Sequence, residues 1–549
     1  MVGRELEGTG SMLKSIRRRD FLVSPTVLGL MGPGSTLVRA EVPGQHLLFN
    51  VRDYGTAGDG KRMDTRPMQA AIDACARAGG GTVFIPSGQY LTGAINLQSH
   101  VNVYLDSGAV ILASQDPADY PVHPSPWQDG KRVISALIRG ENLTDSSLTG
   151  RGTIDGQGQA WWVREYQTNP EYAKEYEAHV PALTETQRRE ELARLQFGIP
   201  HLVQWLNCKN VLLEGLTLIN SPSEAVWPIF CDDMTITGVT IVNPVPSPDT
   251  DGLDPESCRN VHISDCHIDC GDDCISIKSG TDAAGRKMGR PSENITITNL
   301  TTLRGHAGVA LGSEMSGDIR NVSISNCTFQ GTEHGIRIKS RRGRGGVVEG
   351  LVVSNIVMQD VREAFTNTMF YDATSPMSRE EKDPEGLRPV DEGTPRFRNF
   401  YMNNITAFGS KSAGQITGLR EMPITGLVLS NIRISAEQGF SCQNARQIEF
   451  HNVRIDNTEG PALRAKNVQG LELDGFYSAQ THPETCIVDL EDVTDVFARG
   501  CSAAPGTTIF LRIAGAKSSN LVLRANNLGR AAKRVAFALG ADPAILSED

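Results

Sequence analysis

The sequence predicts an all-β chain wound into a right-handed parallel β-helix, with a short helical cap at its N-terminal end. From about residue 100 onward, short segments alternate apolar and polar residues and recur mostly 21 to 34 residues apart. Such alternation is typical of strands that bury one face. A single segment cannot cover that face, whereas stacked segments bury a continuous core and pair their backbones.

The recurring segments share an Asn or Gly, a strand rich in β-branched residues, a turn and a second short strand. They are KNVLLEGLTLINSP (209–222), RNVHISDCHIDC (259–270), ENITITNLTTL (293–303), RNVSISNCTFQG (320–331), RNFYMNNITAFG (398–409), TGLVLSNIRIS (425–435) and RQIEFHNVRID (446–456). A propeller would need four strands per about 40 to 45 residues, and a leucine-rich horseshoe would need a leucine lattice, so both fit less well. The opening asparagines are expected to serve turns and stacking, because Asn tolerates left-handed backbone.

The first residues are predicted to form an export signal. Arginines 17–19, a modestly apolar stretch to Met31 and the small residue Ala40 are typical of a twin-arginine signal that spans residues 1–40. We therefore expect the mature protein to be periplasmic or extracellular.

The parts that follow the signal differ in composition. The cap and first coils are expected at 41–115, the β-helix domain at 116–530 and a C-terminal tail at 531–549. Within the domain, a polar, partly helical insertion at 159–200 and a long loop at 375–396 interrupt the repeat and are expected to rim a groove.

An alanine-rich segment in the cap region predicts a helix that begins near Asp64 or Thr65. The three glycines of residues 79–81 are expected to end it. A helix at this position would cover the open end of the coil, which otherwise exposes strand edges and apolar core.

Composition excludes some classes of function. The 549 residues are 39% hydrophobic and 21% charged, so a large folded core is expected. A net charge of −11 argues against a nucleic-acid partner. After the signal, no run approaches the roughly 18 apolar residues of a membrane-spanning helix, so no membrane partner is expected.

The cysteines raise three interpretations. The chain has eleven, and Cys258, Cys266, Cys270 and Cys274 lie close together. A buried apolar thiol is favoured over a disulfide or a zinc site, because the strand alternation around Cys266 places it on a buried face.

Four segments in consecutive units interrupt the strand pattern with charged residues. They are PDTDG with Asp251, GDDC with Asp272 and Asp273, GHAG with His306, and GIRIKS with Arg337 and Lys339. The separations of 21, 34 and 31 residues are each about one turn of coil. Residues one turn apart stack at about 4.8 Å, so these side chains are expected to converge.

The combination suits cleavage of a glycosidic bond. Such a reaction needs one carboxylic acid to protonate the leaving oxygen and one carboxylate to activate water or attack, and crowded carboxylates raise the pKa that the acid needs. Arg337 and Lys339 alternate along one strand and can pair with the carboxylate of an anionic sugar. The arginines at 341, 342 and 344 extend this basic patch.

Two other interpretations compete. A calcium site could use the oxygens of Asp251, Asp254, Glu256, Asp272 and Asp273. A β-helix of this kind could also bind carbohydrate without cleaving it, as an adhesin does.

These motifs resemble those of the polygalacturonase family, glycoside hydrolase family 28, and especially its bacterial branch. The resemblance runs from YGTAGDGKRMDT near residue 54 through GTIDGQG (152–158) to RIK and the strands beyond. It implies a pectin-lyase-like solenoid and an inverting hydrolase of α-1,4-galacturonosyl linkages, without metal or cofactor. The site residues carried over from the family are Asp251, Asp272, Asp273, His306, Arg337 and Lys339.

The resemblance also implies roles and a substrate. Asp272 would be the general acid, while Asp251 and Asp273 would hold and deprotonate the attacking water. Inverting enzymes separate their carboxyl groups by about 6.5 to 9.5 Å. The expected partner is an acidic polysaccharide or oligogalacturonide. Exo action is expected on a separate ground, because the insertion at 159–200 and the loop at 375–396 can wall off one end of the groove. Alternatives are a rhamnogalacturonan or substituted-galacturonan hydrolase and a calcium-dependent pectate lyase.

The sequence departs from the family pattern at two positions. Asp249 stands where the family has Asn, and Ala307 replaces a Gly and is expected to narrow the cleft beside His306. Further substrate contacts are expected at Lys278, Glu314 and Tyr371. Two other acidic residues of the first motif region are expected to be turn and surface residues, namely Asp254 and Glu256.

Overall fold

Parallel strands dominate the structure and stack into three faces of one coil, here called faces A, B and C. The structure is a computed structural model that describes residues 47–162, 184–245, 247–371, 382–480 and 485–548. The predicted signal of residues 1–40 lies outside the described residues.

Face A carries the longest regular strands. Its strands pair in parallel from one coil to the next. They are Leu48–Asn50, Gly81–Ile85, Val101–Leu105, Thr144–Gly150, Lys209–Glu214, Asp232–Thr237, Arg259–Ser264, Ser292–Thr298, Thr494–Arg499, Ser519–Arg524 and Leu546–Glu548.

Face B follows face A after a tight turn in most coils. Its strands are shorter and also parallel. They are Asp59–Met63, Gly88–Thr92, Ala109–Ala113, Thr153–Asp155, Thr217–Ile219, Thr240–Val242, His267–Asp269, Thr301–Leu303, Tyr477–Ser478 and Ser502–Ala503.

Face C carries the charged motifs. Its strands continue from one coil to the next through the bridges Val226–Leu253 and Leu253–Ile275. They are Ile95–Asn96, Ile138–Glu141, Val203–Leu206, Val226–Ile229, Ser276–Ile277, Ala307–Leu311, His334–Lys339, Glu363–Thr368, Cys486–Glu491, Ile509–Ala514 and Lys533–Ala538.

Four long strands turn the corners between faces without a break. Ile319–Gln330 and Val347–Gln359 span faces A and B, whereas Arg396–Thr417 and Ile424–Asp474 continue along the coil. The parallel β-helix predicted from the sequence is thereby confirmed.

The core follows from residues in the same register on successive coils. On face A, Val211 pairs with Met234, Met234 with Val261, Val261 with Ile295, and Ile295 with Val322. All five side chains are buried. The period-2 alternation sends every second side chain inward, so the stacked units bury one continuous apolar interior.

The asparagines that open the repeats form ladders at one corner. Asn260, Asn294 and Asn321 have left-handed backbone, with φ of 55°, 58° and 53°. Asn294 donates to Asn260 at 3.1 Å, and Asn321 donates to Asn294 at 3.3 Å. The predicted turn and stacking role is confirmed.

The cap helix spans Thr65–Arg77 and buries Met68, Ala71, Ile72 and Cys75. The described residues also contain the helices Glu185–Arg194 and Asp282–Met288, with 3-10 turns at Val51–Tyr54, Pro117–Asp119, Gly158–Ala160 and Pro543–Ile545. An antiparallel hairpin pairs Val122–Pro124 with Arg132–Ile134. None of the described helices is both long and apolar enough to cross a membrane.

The irregular parts differ in how far the structure describes them. Within the predicted insertion 159–200, residues 163–183 lie outside the described residues, and the helix Glu185–Arg194 follows. In the predicted loop 375–396, residues 382–395 contain neither helix nor strand. The coil continues into the segment where a C-terminal tail is expected, because Lys533–Ala538 and Leu546–Glu548 pair with earlier strands.

All eleven cysteines are buried and free. The Sγ atoms of Cys270 and Cys274 lie 3.7 Å apart without a bond. This confirms the buried-thiol interpretation over a disulfide.

Candidate active site

Three aspartates converge where successive coils enter face C. The amide of Gly252 donates to the carbonyl of Asp273 at 3.0 Å, which places Asp251 and Asp273 on adjacent coils. Asp272 precedes Asp273 in a bend rather than in a strand, so both carboxyl groups reach the same side. One oxygen from each of Asp251, Asp272 and Asp273 lies within 4.8 Å of the others.

Asp272 contacts His306 on the following coil. The Nδ1 atom of His306 lies 3.0 Å from Oδ1 of Asp272, which also accepts a 2.7 Å hydrogen bond from the amide of Asp273. The Asp272 carboxylate raises the pKa of His306 to about 9 against the opposing effect of burial. The imidazole is therefore a cation at neutral pH whenever Asp272 is ionised.

A glycine makes this approach of the two coils possible. Gly305 has φ of +104°, and a Cβ atom there would lie 2.6 Å from the carbonyl oxygen of Asp272. Only glycine fits without moving the backbone that carries His306.

Asp273 is buried between two cations. Its Oδ2 atom accepts a hydrogen bond from Nζ of Lys339 at 2.7 Å, and its Oδ1 atom lies 3.6 Å from the guanidinium of Arg337. Burial opposes the charged form of Lys339, but the Asp273 carboxylate outweighs it and raises the pKa of Lys339.

Tyr371 packs against both cations. The Arg337 guanidinium lies 5.3 Å and the Lys339 ammonium 4.9 Å from the centre of the tyrosine ring. Such cation–π contacts hold both side chains beside the aspartates. The structure thus brings the predicted Tyr371 to the site.

Asp251 shares Lys278 with Asp254. The Lys278 ammonium lies 3.5 Å from Asp251 and 2.5 Å from Asp254. Burial raises the pKa of Asp251 well above its ordinary range, Lys278 opposes that rise, and the charges of Asp272 and Asp273 add to it. Asp251 therefore retains its proton to a higher pH than an isolated aspartate does.

Asp254 and Glu256 are buried, so the expectation that they are turn and surface residues is wrong. Asp254 is 0% and Glu256 3% exposed. Glu256 accepts hydrogen bonds from Trp227 Nε1 at 2.8 Å and from the Gly280 amide at 3.1 Å. Burial raises the pKa of Glu256 to about 7. The stacking of coils on face C places both residues inside. The sequence of the motif alone does not show this stacking.

The basic patch is narrower than the sequence suggests. Arg342 pairs with Glu421 at 2.7 Å, and Arg344 lies 2.9 Å from Asp282 and 3.2 Å from Glu314. Arg342 and Arg344 are therefore tied to carboxylates. The predicted Glu314 lies close enough to Lys278 and Arg344 for both cations to lower its pKa against burial.

The two departures from the family pattern have different surroundings. Ala307 is 0% exposed and pairs with His334 on the next coil, whose ring contacts Glu363, so it lies in a row of polar side chains. That its methyl group narrows the cleft stays a prediction. Asp249 is half-buried in left-handed backbone, with φ of 51°.

Sequence reasoning missed three further side chains that border the site, namely His201, Glu224 and Trp227. Glu224 lies on the coil before Asp251, because the Ala225 amide donates to the carbonyl of Asp251 at 2.9 Å. Its Oε2 atom lies 2.8 Å from Nδ1 of His201, and the ring centre of His201 lies 4.3 Å from that of Trp227. Glu224 precedes Asp251 by 27 residues, which is the length of one coil. This spacing is the signal that could have placed Glu224 beside the site.

Two groups of side chains are spaced as metal ligands are. One is the trio Asp251, Asp272 and Asp273, and the other is His451, Glu472 and Asp474 on face A. In the first group, Lys339 and His306 already contribute positive charge next to two of the carboxylates. The trio can therefore hold and move protons without a bound cation.

The fold and the site together define a class of protein: a parallel β-helix enzyme whose clustered carboxyl groups, imidazolium and paired cations suit acid–base cleavage of a glycosidic bond. The family model of glycosyl hydrolases family 28 matches residues 75–453. The chain belongs to this family and is a glycosidase.

Relatives extend the likeness along most of the chain. A Vitis vinifera protein described as a probable polygalacturonase is 35% identical over 393 residues, which cover 70% of this chain and 73% of that protein. An endo-polygalacturonase of Pectobacterium carotovorum subsp. carotovorum is 30% identical over 322 residues, covering 56% and 72%. The expected restriction to a bacterial branch is not supported, because plant and bacterial proteins both match.

A solved structure gives the same architecture. The crystal structure of a hyperthermoactive exopolygalacturonase from Thermotoga maritima matches with a TM-score of 0.62 and 27% identity, covering 75% of this chain and 92% of that one.

Proposed function

We propose that the chain hydrolyses α-1,4-galacturonosyl linkages of pectin by an inverting mechanism, with exo action. The observation that carries this proposal is the meeting of Asp251, Asp272 and Asp273 beside Arg337 and Lys339. The cations suit the carboxylate of a galacturonate, and the aspartates suit proton transfer. Family membership and the names of the relatives support the same substrate.

Asp272 acts as the general acid in this proposal. Its side chain is 13% exposed, compared with 8% for Asp251 and 1% for Asp273, so it reaches furthest toward a bound polymer. Since Oδ1 of Asp272 already accepts from His306 and from the amide of Asp273, the acid proton belongs on Oδ2.

Asp251 and Asp273 hold the attacking water. A water that donates to two oxygens with hydrogen bonds of about 2.8 Å spans roughly 4.5 Å between them, which fits carboxylate oxygens within 4.8 Å of each other. The separation of about 6.5 to 9.5 Å expected for inversion is measured between the carboxyl groups of the acid and the base, whereas the 4.8 Å limit joins single oxygens of Asp272, Asp251 and Asp273. Proton NMR of the first product anomer tests inversion directly, because retention would give the opposite anomer.

The exo assignment rests on the loop after Tyr371. Glu385 contacts Lys466 at 3.1 Å, and the carbonyl of Pro384 accepts from Asn444 at 2.9 Å, so this loop reaches coils well beyond the site. In the proposal it walls off one end of the groove. Product analysis on polygalacturonate is the test: monomer released from the start supports exo action, whereas a rapid loss of viscosity contradicts it.

The catalytic role is tested by Asp272→Asn. We expect a loss of about 10² or more in rate with binding of polygalacturonate retained. A noncatalytic binding protein would instead show no turnover in the unchanged chain either.

Export is also proposed, on the sequence of residues 1–40. Fusion of these residues to a reporter should export it, and replacement of the arginines at 17 and 18 by lysine should stop export. Export that survives this replacement would contradict a twin-arginine signal.

A further inference from the structure

Three side chains form a second binding surface next to the catalytic aspartates. His201, Glu224 and Trp227, here called the upstream subsite, lie on coils that precede Asp251 in the chain. Glu224 and His201 are 18% and 17% exposed, so part of each side chain is accessible while most of it is packed in place.

Trp227 is held in one orientation. Its Nε1 atom donates to the buried Glu256 at 2.8 Å, and its ring packs against His201. Val226 and Pro228, which flank it on the strand, are buried, so the alternation turns Trp227 outward, in the same row as Gln204. A fixed, half-buried indole on a groove floor is a platform for the apolar C–H face of a sugar ring.

The ratio of cations to carboxylates differs between the two sides of the catalytic aspartates, the downstream side toward Arg337 and the upstream side toward Trp227. On the downstream side, Arg337 and Lys339 share one carboxylate, Asp273. On the upstream side, the Lys278 ammonium is shared by Asp251 at 3.5 Å and Asp254 at 2.5 Å, and the charge of Glu224 also acts on it.

The next upstream cation is already neutralised. Arg139 contacts Glu141 at 2.6 Å. Glu224 and His201 are likewise paired, 2.8 Å apart. A free sugar carboxylate placed against Trp227 would therefore meet Glu224 and, among the described residues, only cations that already have carboxylate partners, and like charges at an interface are repelled. Sugar hydroxyls, in contrast, can donate to Glu224.

We propose that the upstream subsite selects a sugar without a free carboxylate, so that the preferred scissile bond joins an uncharged ring at Trp227 to a galacturonate held by Arg337 and Lys339. This inference rests on the proposed hydrolysis of galacturonan. The uncharged ring is either a methyl-esterified galacturonate or a neutral sugar in an alternating backbone, since both offer hydroxyls and an apolar face.

Three polymers separate these sources: polygalacturonate, the same polymer after chemical methyl esterification, and a rhamnogalacturonan backbone. The full chain is assayed for reducing ends on each. We expect a kcat/KM at least about tenfold higher on the esterified polymer or on the alternating backbone than on polygalacturonate. Whichever of the two is preferred identifies the source of the uncharged ring.

The variant Glu224→Gln removes the upstream charge and keeps the shape. It should raise kcat/KM on polygalacturonate, so that the ratio of kcat/KM on the preferred polymer to kcat/KM on polygalacturonate falls toward one. Glu293→Gln is the matched control, because Glu293 is 25% exposed and pairs with Arg259 at 2.9 Å on face A, away from the groove. Trp227→Phe keeps a ring and should preserve the ratio, whereas Trp227→Ala should lower kcat/KM on all three polymers.

Two failures are distinguishable. The upstream subsite is overturned if kcat/KM is equal on polygalacturonate and on the esterified polymer and if Glu224→Gln leaves the ratio of these two values unchanged. The proposed function still stands in that case. A chain that cleaves none of the polymers overturns the proposed function. Affinity electrophoresis then still tests the subsite, because Glu224→Gln must increase retention by polygalacturonate relative to the esterified polymer.

Discussion

Replacing Asp272 with asparagine is expected to lower the pKa of His306 from about 9 toward its ordinary value of 6.5. In the unchanged protein the Asp272 carboxylate, 3.0 Å from Nδ1, raises this pKa from 6.5 to about 9. At about 1.36 kcal/mol for each pKa unit, the difference corresponds to roughly 3 kcal/mol of interaction. Burial lowers this pKa, and the charges of Asp273 and Glu333 raise it, so the loss of the Asp272 carboxylate removes the main cause of the rise.

The same pair makes the free energy of unfolding depend on pH. Because the folded-state pKa of His306 is raised, the contribution is fully present below about pH 6.5 and is lost as the pH rises through about 9. In this interval the folded chain binds more protons than the unfolded chain, so stability falls with rising pH. Asp272→Asn should remove this part of the slope.

Histidine-selective carbon labelling and NMR titration between about pH 5 and about pH 10 measure the pKa. The variant His306→Gln assigns the resonance. Asp269→Asn is the control, because its carboxylate pairs with Arg304 instead of a histidine. A pKa of His306 near 6.5 in the unchanged protein, or one that Asp272→Asn does not move, would refute the reasoning.

Three other predictions test the substrate, the metal and the core. Arg337→Gln should lower kcat/KM on polygalacturonate by about tenfold or more, mainly through KM, because one of the two cations facing a uronate is lost; an unchanged KM would contradict this role. Excess EDTA should leave activity unchanged, whereas a calcium-dependent lyase would lose activity and give an unsaturated product that absorbs in the ultraviolet. Phe400→Ala should lower the free energy of unfolding in urea by about 3 to 5 kcal/mol, since Phe400 is 0% exposed. Its neighbour Tyr401 is 52% exposed, so Tyr401→Ala should change stability by about 0.5 kcal/mol or less, and equal effects would contradict the inward and outward assignment.

The fold was predictable because its repeat is local. Alternation at period 2 marks Val211, Met234 and Val261 as inward residues, and their spacing marks one coil. The cap helix was equally local, since an alanine-rich segment bounded by glycines gave a start within one residue of the observed Thr65. The catalytic motifs were recognisable because each places a charge where the strand pattern calls for a neutral residue.

The surroundings of the site were not predictable in the same way. Asp254 and Glu256 read locally as turn residues, yet stacking on neighbouring coils buries them beside Lys278 and Trp227. Arg342 looked like part of a substrate patch, although its partner Glu421 lies 79 residues later. Which residues meet across distant coils depends on the number of residues in each intervening loop. The alternation of apolar and polar residues does not contain this number.

The alternation that builds the core also fixes the chemistry of the groove. Ile336 and Ile338 are 0% exposed and alternate with Arg337 and Lys339 on one strand. A shift of register by one residue would drive both cations into the apolar interior and turn the isoleucines toward Asp273. Burial of the isoleucines therefore holds the cations in place, so stability and catalysis select the same register. The turns between strands can vary in length without shifting the register of the strands. The insertion and the long loop can therefore be present while the coil continues unbroken.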